Sequence, residues 1–490
     1  MTHSFTWLRN LIEIALLLAI GLPIVAAAQD IRTHRYQVAI NPELSSAQVN
    51  ICFAGKVPEY LIVDYKKATR NILEFPKTQK GFIEFQGRYW KTQSLAPNSC
   101  VNYRVDISEH KRKRRSAEND KTQISFQTEN TWLWLPEALS EDEQVEIEFQ
   151  IPDSYRVSTP WQMLDNKGHR FLLGRTPHDW GFTIIIGEFQ LRPVKLASGS
   201  QLNIAVLNQV KQKNALKQWV VDIGETLSDY LGHFPLSQLQ VILIENRRFR
   251  TGPVPWGDVK RGGGFGIRFV VDSDQSLEKF YQDWTATHEF SHLLVPNIEY
   301  QDGWLSEGLA SYLQYLLMAR SGQLTPEQAW QKLYLGFNRG LNGTVNAPEE
   351  KLINTSENRR KGNRSGRTMR IYWSGAVYFF MADVELRKQS KGQLGLPELL
   401  LKLNQCCIDS RDEWSGIRLA KKLDELSDKD IFVDLYRNIA YSKDFPDFMQ
   451  TFNELGIQVE NEQVTFDSQA SFQLRDQIIY RSSSLKILGQ

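Results

Sequence analysis

Apolar and polar residues alternate through the first two fifths of the chain. Gln48-Val49-Asn50-Ile51-Cys52-Phe53 and Val145-Glu146-Ile147-Glu148-Phe149 each place their apolar side chains on one face of an extended strand. Gly, Pro and Asn separate such runs, and helical spacing is absent until about Val210. Residues 29–196 therefore read as an N-terminal β domain, a β-sandwich or a saddle-like sheet. From Lys211 the pattern changes. Ala215–Leu231 carries apolar residues at helical spacing, Leu239–Ile244 is a short apolar strand, and Gly262-Gly263-Gly264-Phe265-Gly266 leads into a second strand, Ile267–Val271. After Asp272 the pattern is mainly helical to about Leu455. Thr325-Pro326-Glu327-Gln328 carries a helix start: a capping Thr, Pro in the first turn, and Gln three residues after the cap. Residues 197–458 thus predict a mainly helical domain with a small β-sheet, making the whole chain multidomain α+β. Residues 459–490 alternate again and predict a short β-rich segment.

The N-terminus has a different character. Leu11–Val25 is a run of Leu, Ile and Ala broken by Glu13, Gly21 and Pro23, and Ala26-Ala27-Ala28 follows. This predicts a signal peptide over residues 1–28, cleaved after Ala28, and hence a secreted or periplasmic protein. An uncleaved anchor is the alternative; the apolar run is short for a span and ends in small residues. No later stretch is apolar enough to cross a bilayer. Export would allow Cys52 and Cys100, both in strand-like sequence, to pair. Cys406 and Cys407 are adjacent in a helical stretch, where neighbours rarely bond, so they read as small buried residues.

Composition narrows the function classes. The 490 residues are 41% hydrophobic and 23% charged, with a formal net charge of +1. That is ordinary globular composition, with no global signal for nucleic acid as a partner. The run Lys111-Arg112-Lys113-Arg114-Arg115 lacks interleaved aromatics, so a solvated hairpin tip describes it better than a docking patch.

Candidate chemistry sits in the helical part. Thr287-His288-Glu289-Phe290-Ser291-His292 contains H-E-x-x-H among only 8 histidines. On a helix, residues four apart share a face, so His288 and His292 can reach one zinc ion, while Glu289 projects beside it toward a bound water. Leu277, Phe280, Tyr281 and Trp284 give the preceding turns an apolar face. A catalytic zinc site wants three protein ligands, and Glu307 in Trp304-Leu305-Ser306-Glu307-Gly308-Leu309-Ala310-Ser311-Tyr312 supplies the third. One Zn2+ per chain follows.

HEFSH followed by WLSEGLASY resembles the gluzincin metallopeptidases, especially the aminopeptidase N and glycyl aminopeptidase families. The resemblance implies a thermolysin-like catalytic domain behind an N-terminal β domain, and zinc-dependent hydrolysis of peptide or protein substrates with Glu289 as general base. It also implies that Tyr372, in Tyr372-Trp373-Ser374-Gly375, stabilises the oxyanion, with Tyr378 as a fallback of poorer spacing. Asp302 and Asn297 match family positions and become candidates to support the metal-binding histidines. Two departures stand out. The interval from the second histidine to the glutamate is shorter than in aminopeptidase N. The Gly263-Gly264-Phe265-Gly266 stretch takes the place, in order, of the family's G-x-M-E-N strand and has no acidic residue, which leaves exopeptidase and endopeptidase both open. Basic residues flank the same region: Arg247, Arg248, Arg250, Lys260 and Arg261, then Arg359, Arg360, Lys361, Arg364, Arg367 and Arg370 before Tyr372. They are solvated loop charges or the wall of a cleft that favours acidic peptides. A non-catalytic secreted zinc-binding protein of this fold, and a zinc hydrolase of a non-peptide substrate, are the competing readings.

Overall fold

The computed structural model describes residues 31–63, 68–78, 81–108, 124–127, 131–246, 252–345, 349–358, 364–409, 411–467 and 472–480. The leader, the basic run 111–115, and Arg247, Arg248, Arg250, Arg359, Arg360 and Lys361 lie outside the described residues. No helix among the described residues is long and apolar enough to cross a membrane.

The alternating segments of the first part form strands. A seven-stranded sheet runs in the order Gln162–Met163, Arg170–Leu173, Glu143–Gln150, Arg32–Ile40, Ser46–Cys52, Cys100–Asp106, Ile72–Thr78. Val49, Ile51, Val145, Ile147 and Phe149 are all buried on it, as their period of two requires. A four-stranded and a three-stranded sheet complete this β-rich half. All three contribute to one apolar core around Trp90, Trp134 and Trp161, with Trp90 stacked on Trp134 at 4.1 Å between ring centroids. Cys52 and Cys100 are a register pair on neighbouring strands and are disulfide-bonded.

The second part is built on a five-stranded sheet ordered Gln190–Lys195, Gln201–Val206, Gln238–Glu245, Gly266–Val271, Trp256–Lys260. The three central strands are parallel, and the two outer ones run antiparallel to their neighbours. Helix Lys213–Leu231 makes the crossover between the first two parallel strands. The sequence pattern places Gln190–Lys195 with the N-terminal strands and misses Trp256–Lys260, which is short and polar; an edge strand pairs on one side only and needs little apolar content. Thr325 and Gln328 do cap helix Pro326–Val345 reciprocally, at 2.9 and 3.3 Å.

Helix Gly303–Arg320 lies against helix Arg364–Gln389 through two glycines. A Cβ on Gly308 would lie 2.3 Å from the Gly375 Cα, so the backbones touch where any side chain would part them. Gly308→Val should therefore destabilise the fold by about 2 kcal/mol or more, read as a lower midpoint in denaturant unfolding.

Two C-terminal expectations change. After the hairpin Ile457–Glu460/Gln463–Phe466 the chain forms helix Phe472–Ile479, not a further strand. Leu474 and Ile478 are four apart, and Arg475 lies over the Phe466 ring at 3.9 Å and donates to the Leu455 carbonyl at 3.2 Å. Cys406 and Cys407 are bonded to each other, contrary to expectation. They are the last two residues of helix Leu396–Cys407, where the final carbonyls have no intrahelical partner to hold the backbone regular.

Candidate active site

The apolar face predicted before HEFSH belongs to a separate short helix, Leu277–Gln282. Asp283 is extended, and its carboxylate accepts the Thr285 N–H at 2.8 Å, starting helix Thr285–Ser291 afresh. Phe290 and Leu293 anchor this helix in the core, with the Phe290 ring parallel to that of Phe269 on the sheet. The chain continues through a single 3-10 turn, His292–Leu294. His288 and His292 thus project from consecutive turns, with ring centroids 4.9 Å apart.

Glu307 approaches from the first turns of helix Gly303–Arg320. Its Oε2 lies 3.2 Å from His288 Nε2 and 3.7 Å from His292 Nε2. One ligand atom from each of the three residues falls within 4.8 Å of the others. The outer ring nitrogens are engaged elsewhere: His288 Nδ1 with Gln314 Oε1 at 2.9 Å, and His292 Nδ1 with Ser306 Oγ at 3.0 Å. Both Nε2 atoms are thereby aimed at the common centre. Two imidazole nitrogens and a carboxylate oxygen, convergent and oriented from behind, suit a tetrahedral zinc with one open position.

Sequence reasoning missed Gln314 and Ser306, the partners of the two imidazoles. A signal existed: Ser306 adjoins Glu307, and Gln314 lies seven residues on, two turns along the same face. The residues proposed for that support do other work. Asp302 accepts from Gly416 N–H at 2.7 Å, Tyr436 O–H at 2.9 Å and Trp304 Nε1 at 3.3 Å, which fastens the start of the Glu307 helix. Asn297 lines the cleft and donates to Glu413 at 3.1 Å. Neither contacts an imidazole. Gln314→Leu should weaken zinc binding about 10- to 100-fold with the fold intact, measured by competition against a chelating indicator.

Charge in the site follows from burial and proximity. Burial pushes the Glu289 carboxyl up to about 7; His288 opposes this, while Glu307 and Asp258 add to it. Burial would raise Glu307 too, but its hydrogen bond with His288, the nearby His292 and a hydrogen bond from Tyr372 pull it down to about 2. Burial holds His292 down to about 3. It also acts to lower His288, yet the hydrogen bond and charge of Glu307 outweigh it and leave that imidazole raised.

Tyr372, on helix Arg364–Gln389, stacks parallel to His288 at 5.8 Å and 8° and lines the cleft. Tyr378 is fully buried, with its hydroxyl donating to the Phe432 carbonyl at 3.0 Å, so the fallback is a core residue.

The cleft encloses about 320 Å³. The strand that borders it is Trp256–Lys260, not the glycine stretch. Gly257 packs directly on Glu289: a Cβ there would lie 2.5 Å from its Cγ. The glycines face the β-rich half instead. Gly264, at φ 157°, would place a Cβ 2.0 Å from the Pro160 carbonyl oxygen, and Gly263 meets Trp161. An acidic residue does stand on the bordering strand. Asp258 lines the cleft and accepts two hydrogen bonds from Arg268, at 2.8 and 3.0 Å.

The described basic residues divide. Arg367 is ion-paired with Glu350 at 2.8 Å, and Arg370 is buried, donating to the Ser442 and Lys443 carbonyls. These two are structural. Arg261 lines the cleft, donating to the His292 carbonyl at 2.7 Å and the Val295 carbonyl at 3.0 Å, and burial lowers its guanidinium to about 10, still cationic at neutral pH.

No family model and no curated protein matches the sequence. Solved structures do. An aminopeptidase N family protein from Idiomarina loihiensis is 15% identical with a TM-score of 0.64, covering 87% of this chain and 79% of that one. An M1 zinc metallopeptidase from Deinococcus radiodurans is 13% identical with a TM-score of 0.52, covering 85% and 94%. A variant of the Deinococcus radiodurans protein bound to a Tyr-Ser-Ala substrate is 13% identical, with a TM-score of 0.51 over 85% and 95%. The fold is that of the aminopeptidase N-like zinc metallopeptidases.

Proposed function

We propose that this chain is an exported zinc peptidase in which His288, His292 and Glu307 hold the ion and Glu289 is the general base. The observation that carries this reading is the convergence of the three ligand atoms within 4.8 Å, with Glu289 and Tyr372 on the same cleft. Zinc bound there would acidify a water to a pKa of about 7 and polarise the scissile carbonyl.

The chain's own residues do the rest. Glu289 accepts the proton of the attacking water and passes it to the departing amine. Its backing by Gly257 fixes the carboxylate in place. Tyr372 donates a hydrogen bond to the carbonyl oxygen as negative charge builds on it. Strand Trp256–Lys260 is the outermost of its sheet, so an extended peptide can lie along it by strand addition. This free edge favours a peptide over a non-peptide substrate. Asp258 is the strand's cleft-lining carboxylate, and a substrate amine would compete for it with Arg268.

The mature protein, incubated with a diverse peptide library, should cleave it at defined positions read by mass spectrometry, and chelation should stop the cleavage. Stoichiometric zinc without cleavage of any peptide would replace this reading with that of a non-catalytic zinc-binding protein.

A further inference from the structure

Arg261 lines two clefts. One is the metal-site cleft. The other, of about 470 Å³, lies between the β-rich and helical halves and is also lined by Arg175, Gly263, Phe265, Asp409 and Arg411. Three arginines thus line this second space against one acidic residue, Asp409. Arg411 is exposed, and Arg175 is half-buried with one N–H donated to the Glu141 carbonyl at 2.7 Å. Arg261 donates to backbone carbonyls and lies against the Phe265 ring. A guanidinium taken partly out of water gains most from a carboxylate, which it grips through two parallel N–H groups.

The carboxylates of the metal-site cleft have nearer cations. Asp258 is paired with Arg268, and Glu307 and Glu289 would face the metal. Strand Trp256–Lys260 ends at the residue before Arg261, so a peptide laid along that strand reaches the residue that the two clefts share.

On the peptidase reading above, we infer that the second cleft is a subsite for acidic residues of the peptide substrate, with Arg261 at its entrance and Arg175 and Arg411 as carboxylate partners within it. Carboxylates from acidic side chains and from a substrate C-terminus share this chemistry.

The test uses the zinc-loaded protein and one cleaved library peptide, scanned with Glu or the isosteric Gln at each position, with free or amidated C-terminus. At low ionic strength, Glu at one or more positions should raise kcat/KM about tenfold over Gln, chiefly through KM. Salt at about 0.5 M should shrink the ratio, because the cleft is open to solvent. Arg175→Gln combined with Arg411→Gln should bring the Glu/Gln ratio toward one. Neither residue lines the metal-site cleft, so zinc content should stay stoichiometric and report an intact site. A preference for free over amidated C-termini, with no Glu effect, would assign the cleft to the terminal carboxylate instead. Equal rates for Glu and Gln at every position, with free and amidated termini alike, would overturn the inference. Failure to cleave any peptide would overturn the peptidase reading.

Discussion

Glu289→Gln should leave zinc stoichiometric and lower kcat/KM for a cleaved peptide about a thousandfold. The amide has nearly the shape of the carboxyl, so it keeps the packing against Gly257 and leaves the three ligand residues undisturbed. What it loses is the ability to take a proton. A positioned general base typically contributes 10²- to 10⁴-fold, and Glu289 is well placed for the upper part of that range. Its side chain is buried, and burial pushes its carboxyl up to about 7 in the metal-free site, close to the pH at which it would work. Metal analysis and steady-state assays on the same preparation check this. A variant with full zinc and activity within about threefold of the parent would remove Glu289 from its role. A variant that lost zinc would leave the ligand geometry, rather than proton transfer, as the cause.

The parts of this site legible in the sequence are those that obey a local periodicity. His288 and His292 are one turn apart across the end of helix Thr285–Ser291, and Glu307 lies in the first turns of helix Gly303–Arg320, so spacing alone brings them forward. Tyr372 came through resemblance, and the fold sets it on the cleft. Contacts set by tertiary packing were not legible. Strand Trp256–Lys260 carries no alternation, yet it places Gly257 on Glu289 and Asp258 in the cleft. The glycine stretch took the place of the family's substrate strand by chain order alone; its close approaches are to Pro160 and Trp161, far away in sequence. Asp302 shows the same limit. An aspartate five residues before a metal ligand invites a role on the imidazole, whereas its three donors come from Trp304, Gly416 and Tyr436. Of the basic residues before Tyr372, Arg367 and Arg370 turned inward to Glu350 and backbone carbonyls, which charge patterning alone does not reveal.

Glu307→Ala should weaken zinc binding about a thousandfold or more and remove activity at ordinary zinc concentrations. Loss of an outer partner such as Gln314 costs about 10- to 100-fold, and a ligand that supplies both an oxygen and the site's negative charge must cost more. Glu307 also sets the protonation state of the parent site. Its carboxyl is held down to about 2, so it is ionised throughout the working range, and it raises the affinity of His288 for a proton. His292, held down to about 3, is already neutral and ready to bind. Zinc entering the parent site must therefore displace a proton from His288, and from Glu289 where that carboxyl is still protonated. The sign follows: affinity falls as the pH is lowered, and these side chains release more protons on binding at about pH 6 than at about pH 9. In Glu307→Ala the anion that raises His288 is gone, so the proton release at the lower pH should shrink along with the affinity. Titration calorimetry in buffers of different ionisation enthalpy counts these protons directly. A parent protein that binds zinc with no proton release at either pH, or a Glu307→Ala variant that binds as tightly as the parent, would show that Glu307 neither holds the ion nor tunes its partners.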